Sequence, residues 1–304
     1  MGQIVYRQEI NKDNWELLLR KTPNASLYVE LYYLDALAEN WCAYTNAEFS
    51  YAIPFSYKKM LGVKNIYPPF FQSFIHAIGA VDQIDWEDFQ KTIKKEFKRG
   101  TLFIRDEISD FPVSEKRRFQ IVSPAELTLK DQAKRKLKLA EKADYVLKRN
   151  CPTNELTKII TQELGKKLSL YHSRAMQRFK RLLQEAEKRN QLISFGLYKG
   201  DQLLGGVFAL KNDTHFFFLK GACRPEVNKN GGMYQLMYKL IQEAHHYNMV
   251  FDFGGSNVDG VRFFNTRFGA KDRYYFKHDW NFSPVWYKIV LQLNKTYKSL
   301  FLKK

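Results

Sequence analysis

The sequence predicts an α/β fold of mixed sheets in two halves, residues 1–145 and 146–304. Three patterns predict it. Short apolar runs that alternate or are continuous are interleaved with amphipathic stretches of helical period. The second half orders them as ααβββαβαβ, an antiparallel meander whose following helix crosses to a parallel strand, and this requires helical layers over one mixed sheet. The first half follows a rougher outline, β-α-α-β-β-α-β, so an internal duplication is expected from element order, with no residue-level repeat.

Residues 5–9 read as a short strand. Asn11 or Asp13 then caps a helix carrying Trp15, Leu18 and Leu19 on one face, and Pro23 ends it. A second helix over 27–40 turns Leu31, Leu34, Leu37 and Ala38 inward. Strands are expected at 49–57 and 65–74, joined by a basic turn with Lys58, Lys59, Gly62 and Lys64. Trp86, Phe89, Ile93 and Phe97 give 85–97 a helical period, and strands follow at 101–105 and 119–122. Residues 131–144 form a basic helix in which Lys134, Arg135, Lys136, Lys138 and Lys142 nearly encircle the axis, a connector between the halves.

The second half begins with helices at 153–164 and 168–189. Strands follow at 192–199, 202–211 and 215–222, joined by short GD and ND turns. Next come a helix at 233–247, a strand at 249–253, a helix at 258–268 and a strand at 273–278. A last amphipathic helix over 284–302 places Trp286, Ile289, Val290, Leu293, Tyr297 and Leu300 on one side and lysines on the other. Docking of that stripe on the sheet is expected, with binding to a membrane surface as the alternative.

A chain of 304 residues buries proper cores without staples. Cys42, Cys151 and Cys223 are odd in number and scattered, so neither a disulfide framework nor a cysteine zinc site is encoded, and a reducing cytoplasm is expected. The N-terminus lacks the basic start and apolar core of a signal peptide. The apolar stretch at 66–78 is interrupted by Pro68, Pro69, Gln72 and His76, far short of the roughly 20 residues that span a bilayer. No motif for a metal is present. A net charge of +17 attracts phosphates on RNA, on a nucleotide-bearing donor or on anionic lipid, although many of these lysines only solvate helix faces.

Two segments carry candidate chemistry. In 216–235 an aromatic strand, FFFLKGACR, leads through Asn230, Gly231 and Gly232 into a helix, where free backbone N–H groups and the helix dipole suit a pyrophosphate. In 251–270, FDFGGSNVDGVRFFNTRFGA, a strand carries Asp252, Gly254 and Gly255 free the backbone, and Ser256 or Asn257 caps a helix. Ligands in open α/β sheets bind beyond the carboxyl ends of parallel strands, where this Gly-Gly-Ser falls. Amides near Gly221 and Gly254 are candidate oxyanion donors. Asp252, Glu226 and His215 are candidate bases, Asp252 foremost.

The 252–270 motif resembles the closing signature of the GNAT-like domain of FemAB-type transferases and related bacterial acyltransferases: Asp252, Phe253, Gly254, Gly255 and Ser256, then Gly260, Val261, Phe263, Phe264, Phe268, Gly269 and Ala270. The segments around Tyr32, Tyr33 and Asp35, and from Pro54 through Lys58, Lys59, Gly62, Tyr67, Pro68 and Pro69 to Gln72, are similar to that group's N-terminal pattern. The resemblance implies a tandem GNAT-like acyl-CoA N-acyltransferase fold that moves an acyl or aminoacyl group from acyl-CoA or aminoacyl-tRNA to an amine. It implies an acceptor such as a cell-envelope precursor, peripheral membrane contact, and no permanently bound cofactor. Carried onto this chain, it marks Asp252, Ser256 and Asn265 as catalytic positions. Gly221, Asn230, Gly231, Gly232, Gly254 and Gly255 would hold the donor, and Tyr32, Lys59, Tyr67 and Gln72 the acceptor. Asn265 stands where Fem-type enzymes carry lysine and other GNAT enzymes often tyrosine. The alternative is a non-catalytic binder of RNA or anionic surfaces through Lys58, Lys59 and the 134–142 lysines, with steep salt dependence.

Overall fold

A computed structural model describes residues 2–165, 173–255 and 257–301, with side-chain surroundings for all but 164–165, 173 and 294–301. The chain opens with β1 (Gln3–Tyr6) and α1 (Lys12–Arg20), whose cap Asn11 accepts the Asn14 N–H at 3.0 Å. Trp15 and Leu18 are buried as the period requires. The expected second helix is shorter: residues 27–29 form a 3-10 turn and α2 is Leu31–Leu37. Then comes β2 (Asn40–Thr45), which the sequence concealed because five of its six residues are buried and show no alternation.

A hairpin of β3 (Tyr51–Met60) and β4 (Val63–Ile66) turns on Leu61 and Gly62, both at positive φ. The strand expected to run to residue 74 stops at Ile66. Pro68 and Pro69 lack donors, and the chain rejoins the sheet only where Ile75 bridges Ile104. After β5 (Ile78–Gly79) come α3 (Trp86–Glu96), β6 (Arg99–Ile104), β7 (Glu115–Val122) and α4 (Asp131–Lys142).

The second half comprises β8 (Val146–Arg149), α5 (Thr153–Gly165), α6 (Ser173–Lys188), β9 (Leu192–Lys199), β10 (Gln202–Lys211) and β11 (His215–Cys223). It continues through α7 (Pro225–Lys229), α8 (Gly232–His246), β12 (Val250–Gly255), α9 (Asp259–Thr266), β13 (Lys271–Asn281) and α10 (Val285–Phe301). The part of the helix expected over 168–172 lies outside the described residues.

One sheet runs β1-β2-β3-β4-β6-β13-β7-β12-β11-β10-β9-β8, with β5 paired to β3. The expected duplication is visible in it. Strands β1 to β4 form an antiparallel series, and α3 crosses to β6, parallel to β4. Strands β8 to β11 do the same, and α8 crosses to β12, parallel to β11. The closing strands are exchanged: β7 pairs with β12, and β13 inserts between β6 and β7.

On one face of the second-half sheet, Phe216, Phe251 and Phe253 pack with Leu236, Met237 and Leu240 of α8. The other face is covered by Tyr28, Tyr33 and Phe74 of the first half, with Leu182 and Ala186 of α6. α10 does not dock by its expected stripe. Tyr287 is the buried side chain, its hydroxyl accepting the Asn65 Nδ2 proton at 2.8 Å, while Trp286, Ile289 and Leu293 are 51%, 55% and 65% exposed. Tyr287 and Leu291, one turn apart, face the sheet instead and roll the larger apolar stripe outward. No helix among the described residues is long and apolar enough to cross a membrane.

Candidate active site

The parallel pairing of β11 and β12 is brief: His215, Phe216 and Phe217 oppose Val250, Phe251 and Asp252. On its other edge β12 pairs with β7 from Phe251, and past Asp252 only that pairing continues, with an irregularity between Asp252 and Gly255. Because Phe251 and Phe253 face α8, Asp252 between them must point to the opposite face, into the first half. β11 carries a bulge there. Ala209 pairs with Phe218 and Phe208 with Lys220, leaving Leu219 as the extra residue. A bulge re-aims the side chains around it. Leu219 packs toward the Tyr28–Phe217 core, and Lys220 Nζ stands 5.8 Å from the centre of the Phe71 ring. Lys220 and Asp252 therefore share the face that the first half covers.

The first half brings its own groups to this seam. A Cβ on Gly254 would lie 3.8 Å from both Tyr28 Oη and the Phe218 carbonyl, and one on Gly255 would lie 3.2 Å from Ser73 Oγ and 3.6 Å from Tyr275 Oη. Tyr28 donates to Ser73 Oγ at 3.4 Å, and Gln72 Nε2 holds the Tyr28 carbonyl at 2.8 Å. Asn257 fixes the loop after the glycines. It accepts the Arg118 N–H at 2.9 Å and donates to Tyr275 Oη at 3.0 Å.

Burial sets the protonation of this cluster. It pushes the Asp252 carboxyl up to about 7, against the opposing pull of the Gly254 N–H at 2.6 Å and the Arg105 guanidinium. Burial alone lowers the Lys220 ammonium, which has no carboxylate partner among the described residues. The Tyr28 phenol is raised by burial and by the nearby Asp252 charge. An acid that exchanges protons near neutrality and a destabilised cation thus share one face at the point where two parallel strands diverge. Such an arrangement can accept a proton at one end and stabilise developing negative charge at the other.

Residues 131–265 match the family model described as Acetyltransferase (GNAT) domain. The match starts at the first residue of α4 and takes in both parallel strands of the seam. Solved structures share the architecture at low identity. FemX superposes with TM-score 0.63 at 13% identity, over 99% of each chain. L-PGS from Bacillus licheniformis gives 0.57 at 12% identity, over 92% of this chain and 95% of that one. The tandem GNAT protein from the clavulanic acid biosynthesis pathway gives 0.55 at 10%, over 93% and 99%. The fold is a tandem GNAT fold. No curated protein sequence matches the chain.

Within this tandem GNAT fold the sequence candidates separate. Asp252, Gly254 and Gly255 meet at the seam, and Gln72 joins them through Tyr28. Ser256 lies outside the described residues. Asn265 is buried on another network, its Nδ2 donating to Gln120 Oε1 at 3.0 Å while Gln120 reaches Asp272. Gly221 is pressed against Val207, where a Cβ would fall 2.5 Å from Cγ1.

The loop before α8 is covered by α4. A Cβ on Gly231 would lie 2.1 Å from the Lys136 carbonyl, Lys136 Nζ donates to the Lys229 carbonyl at 2.7 Å, and Asn230 donates to Tyr145 Oη at 3.2 Å. Gly232 would meet Val227 at 2.5 Å. These glycines let α4 and the loop pack closely. Glu226 is exposed on α7. His215 sits at the start of β11, its ring stacked on Phe217, and burial and Arg105 lower it to about 4.

Of the acceptor candidates, Tyr32 packs on α6 beneath Arg189, and Lys59 is exposed on the hairpin. Tyr67 lines a separate cleft of about 590 Å³ between α10 and the first-half sheet, with Lys58, Asn65, Arg99 and Tyr287. Lys220, Tyr28, Ser73 and Arg105 were missed. A lone lysine inside the aromatic run FFFLKGACR was the available signal for Lys220. The others come from loops and turns far away in sequence.

Proposed function

We propose that this chain transfers an acyl or aminoacyl group from an activated ester or thioester to a primary amine at the β11–β12 seam. The carrying observation is that Asp252, poised to exchange a proton near pH 7, and Lys220, a cation with no carboxylate partner among the described residues, share one covered face of diverging parallel strands. Phe218 and Leu219 of β11 lie between Lys220 and Phe217, the register partner of Asp252, which is three residue steps, about 10 Å of strand.

In this scheme the amine attacks the carbonyl carbon and passes its proton to Asp252. The carbonyl electrons move to oxygen, where the Lys220 ammonium stabilises them. Collapse reforms the carbonyl, breaks the C–S or C–O bond of the donor, and returns the proton to the leaving thiolate or alkoxide. No permanently bound cofactor enters the scheme. The donor classes are acyl-CoA and aminoacyl-tRNA, both found in the cytoplasm, and an amine of a cell-envelope precursor is one acceptor to test.

Purified protein is incubated with acetyl-CoA, longer acyl-CoAs or aminoacyl-tRNA and a panel of primary amines, and the amide product is followed by mass spectrometry. Donor binding is read in parallel as a rise in melting temperature. Amide formation lost in Asp252→Asn and in Lys220→Met supports the assignment. Donor binding without transfer by any pair favours the non-catalytic alternative, and transfer unaffected by both substitutions moves the site elsewhere.

A further inference from the structure

We propose that α10 is a docking surface for an anionic lipid bilayer. Val285, Trp286, Ile289, Val290 and Leu293 recur along one side of the helix at 71%, 51%, 55%, 38% and 65% exposure, and Phe282, just before the helix, adds 61%. A contiguous apolar patch of this kind on a helix marks an interaction face. The helix cannot roll this face inward. Its other side is fixed by fully buried Tyr287, whose hydroxyl accepts from Asn65.

Charge selects the occupant. Lys288 is exposed on the helix itself, and exposed Lys98, whose carbonyl accepts the Phe282 N–H at 2.6 Å, stands at its start; Lys58 and Arg99 add positive charge in the cleft on the sheet-facing side of α10. None of these four cations is in an ion pair among the described residues. An apolar helical face with a tryptophan, with exposed Lys288 beside it and exposed Lys98 at the start of the helix, matches the acyl–headgroup boundary of a membrane rich in anionic lipid, with the lysines meeting phosphates. The net charge of +17 attracts the whole molecule to such a surface.

The test uses the full chain and sedimentation with vesicles of phosphatidylcholine alone or mixed equally with phosphatidylglycerol. Binding is expected to the mixed vesicles, with a blue shift of tryptophan emission that Trp286→Phe abolishes. The double variant Ile289→Glu/Leu293→Glu should weaken binding by about tenfold or more, and because both side chains are exposed, its melting temperature should match the parent's. Absence of binding to the mixed vesicles overturns the proposal. So does equal binding by the double variant, which would leave unspecific charge attraction as the cause. A concentration-dependent dimer that the double variant dissolves would assign the face to a second copy and overturn it equally.

Discussion

The main-chain N–H of Gly254 donates to Oδ1 of Asp252 at 2.6 Å, two residues back, so the glycine loop is pinned to the carboxyl at the centre of the seam. Its hydrogen-bonded, buried carboxyl titrates from a raised value. Asp252 holds its proton in the folded protein up to about pH 7 but releases it near 3.8 when unfolded. Its stabilising contribution is therefore complete below pH 3.8 and lost as pH rises through 7. Asp252→Asn should unfold like the parent at pH 4 and be more stable at pH 8, by at most about 4 kcal/mol. Urea denaturation at the two pH values measures this. The same variant should reduce transfer by about a hundredfold or more.

Lys220 lies over Phe71 with no carboxylate beside it among the described residues. Lys220→Met keeps the length of the side chain and removes a cation from a desolvated site, so the melting temperature should hold or rise while transfer falls. Competitive acetylation with acetic anhydride at graded pH should show Lys220 in the parent reacting as a more weakly basic amine than free lysine added to the same mixture.

Two glycines at positive φ differ in what surrounds them. Gly254, at φ 74, has open space to 3.8 Å, so Gly254→Ala should cost only the backbone term, about 1–2 kcal/mol. Gly231, at φ 88, faces the Lys136 carbonyl at 2.1 Å, and Gly231→Ala must also displace α4. Chemical denaturation should rank Gly231→Ala as clearly the more damaging, and limited proteolysis should show cleavage within α4.

His76 is fully buried, with its Nε2 accepting the Ser26 N–H at 3.0 Å, and burial and the Arg105 charge lower it to about 3. The folded state refuses a proton that the unfolded chain takes up near 6.5. Stability is therefore intact above pH 6.5 and falls as pH drops toward 3. In His76→Gln this part of the acid loss should be absent, seen as a shallower decline of melting temperature between pH 6 and 4.

The sequence reveals strands best where turn chemistry brackets them. β9 and β10 begin and end at the expected residues because Gly200 and Asp201 close their hairpin. The duplication is legible as element order, and Asp252 as an acid in an apolar strand before two glycines. Less is legible where geometry depends on a partner. The bulge that aims Lys220 leaves no mark on the aromatic run containing it, and Tyr28 and Ser73 reach the seam only because the first half folds over the second. The outward turn of the α10 stripe was hidden for a related reason. A single tyrosine with a buried polar partner outweighs five aliphatic and aromatic positions in deciding which side of the helix faces the protein.

The insertion of β13 between β6 and β7 imposes an order on biosynthesis. Residues 271–281 emerge from the ribosome long after β6 has been made, so the first half must wait with a strand edge that has no native neighbour. Such an edge invites pairing with another chain. Release from this vulnerable state depends on the last stretch of translation, and a transcript truncated before residue 271 would yield a product with two permanently open edges, one on β6 and one on β7.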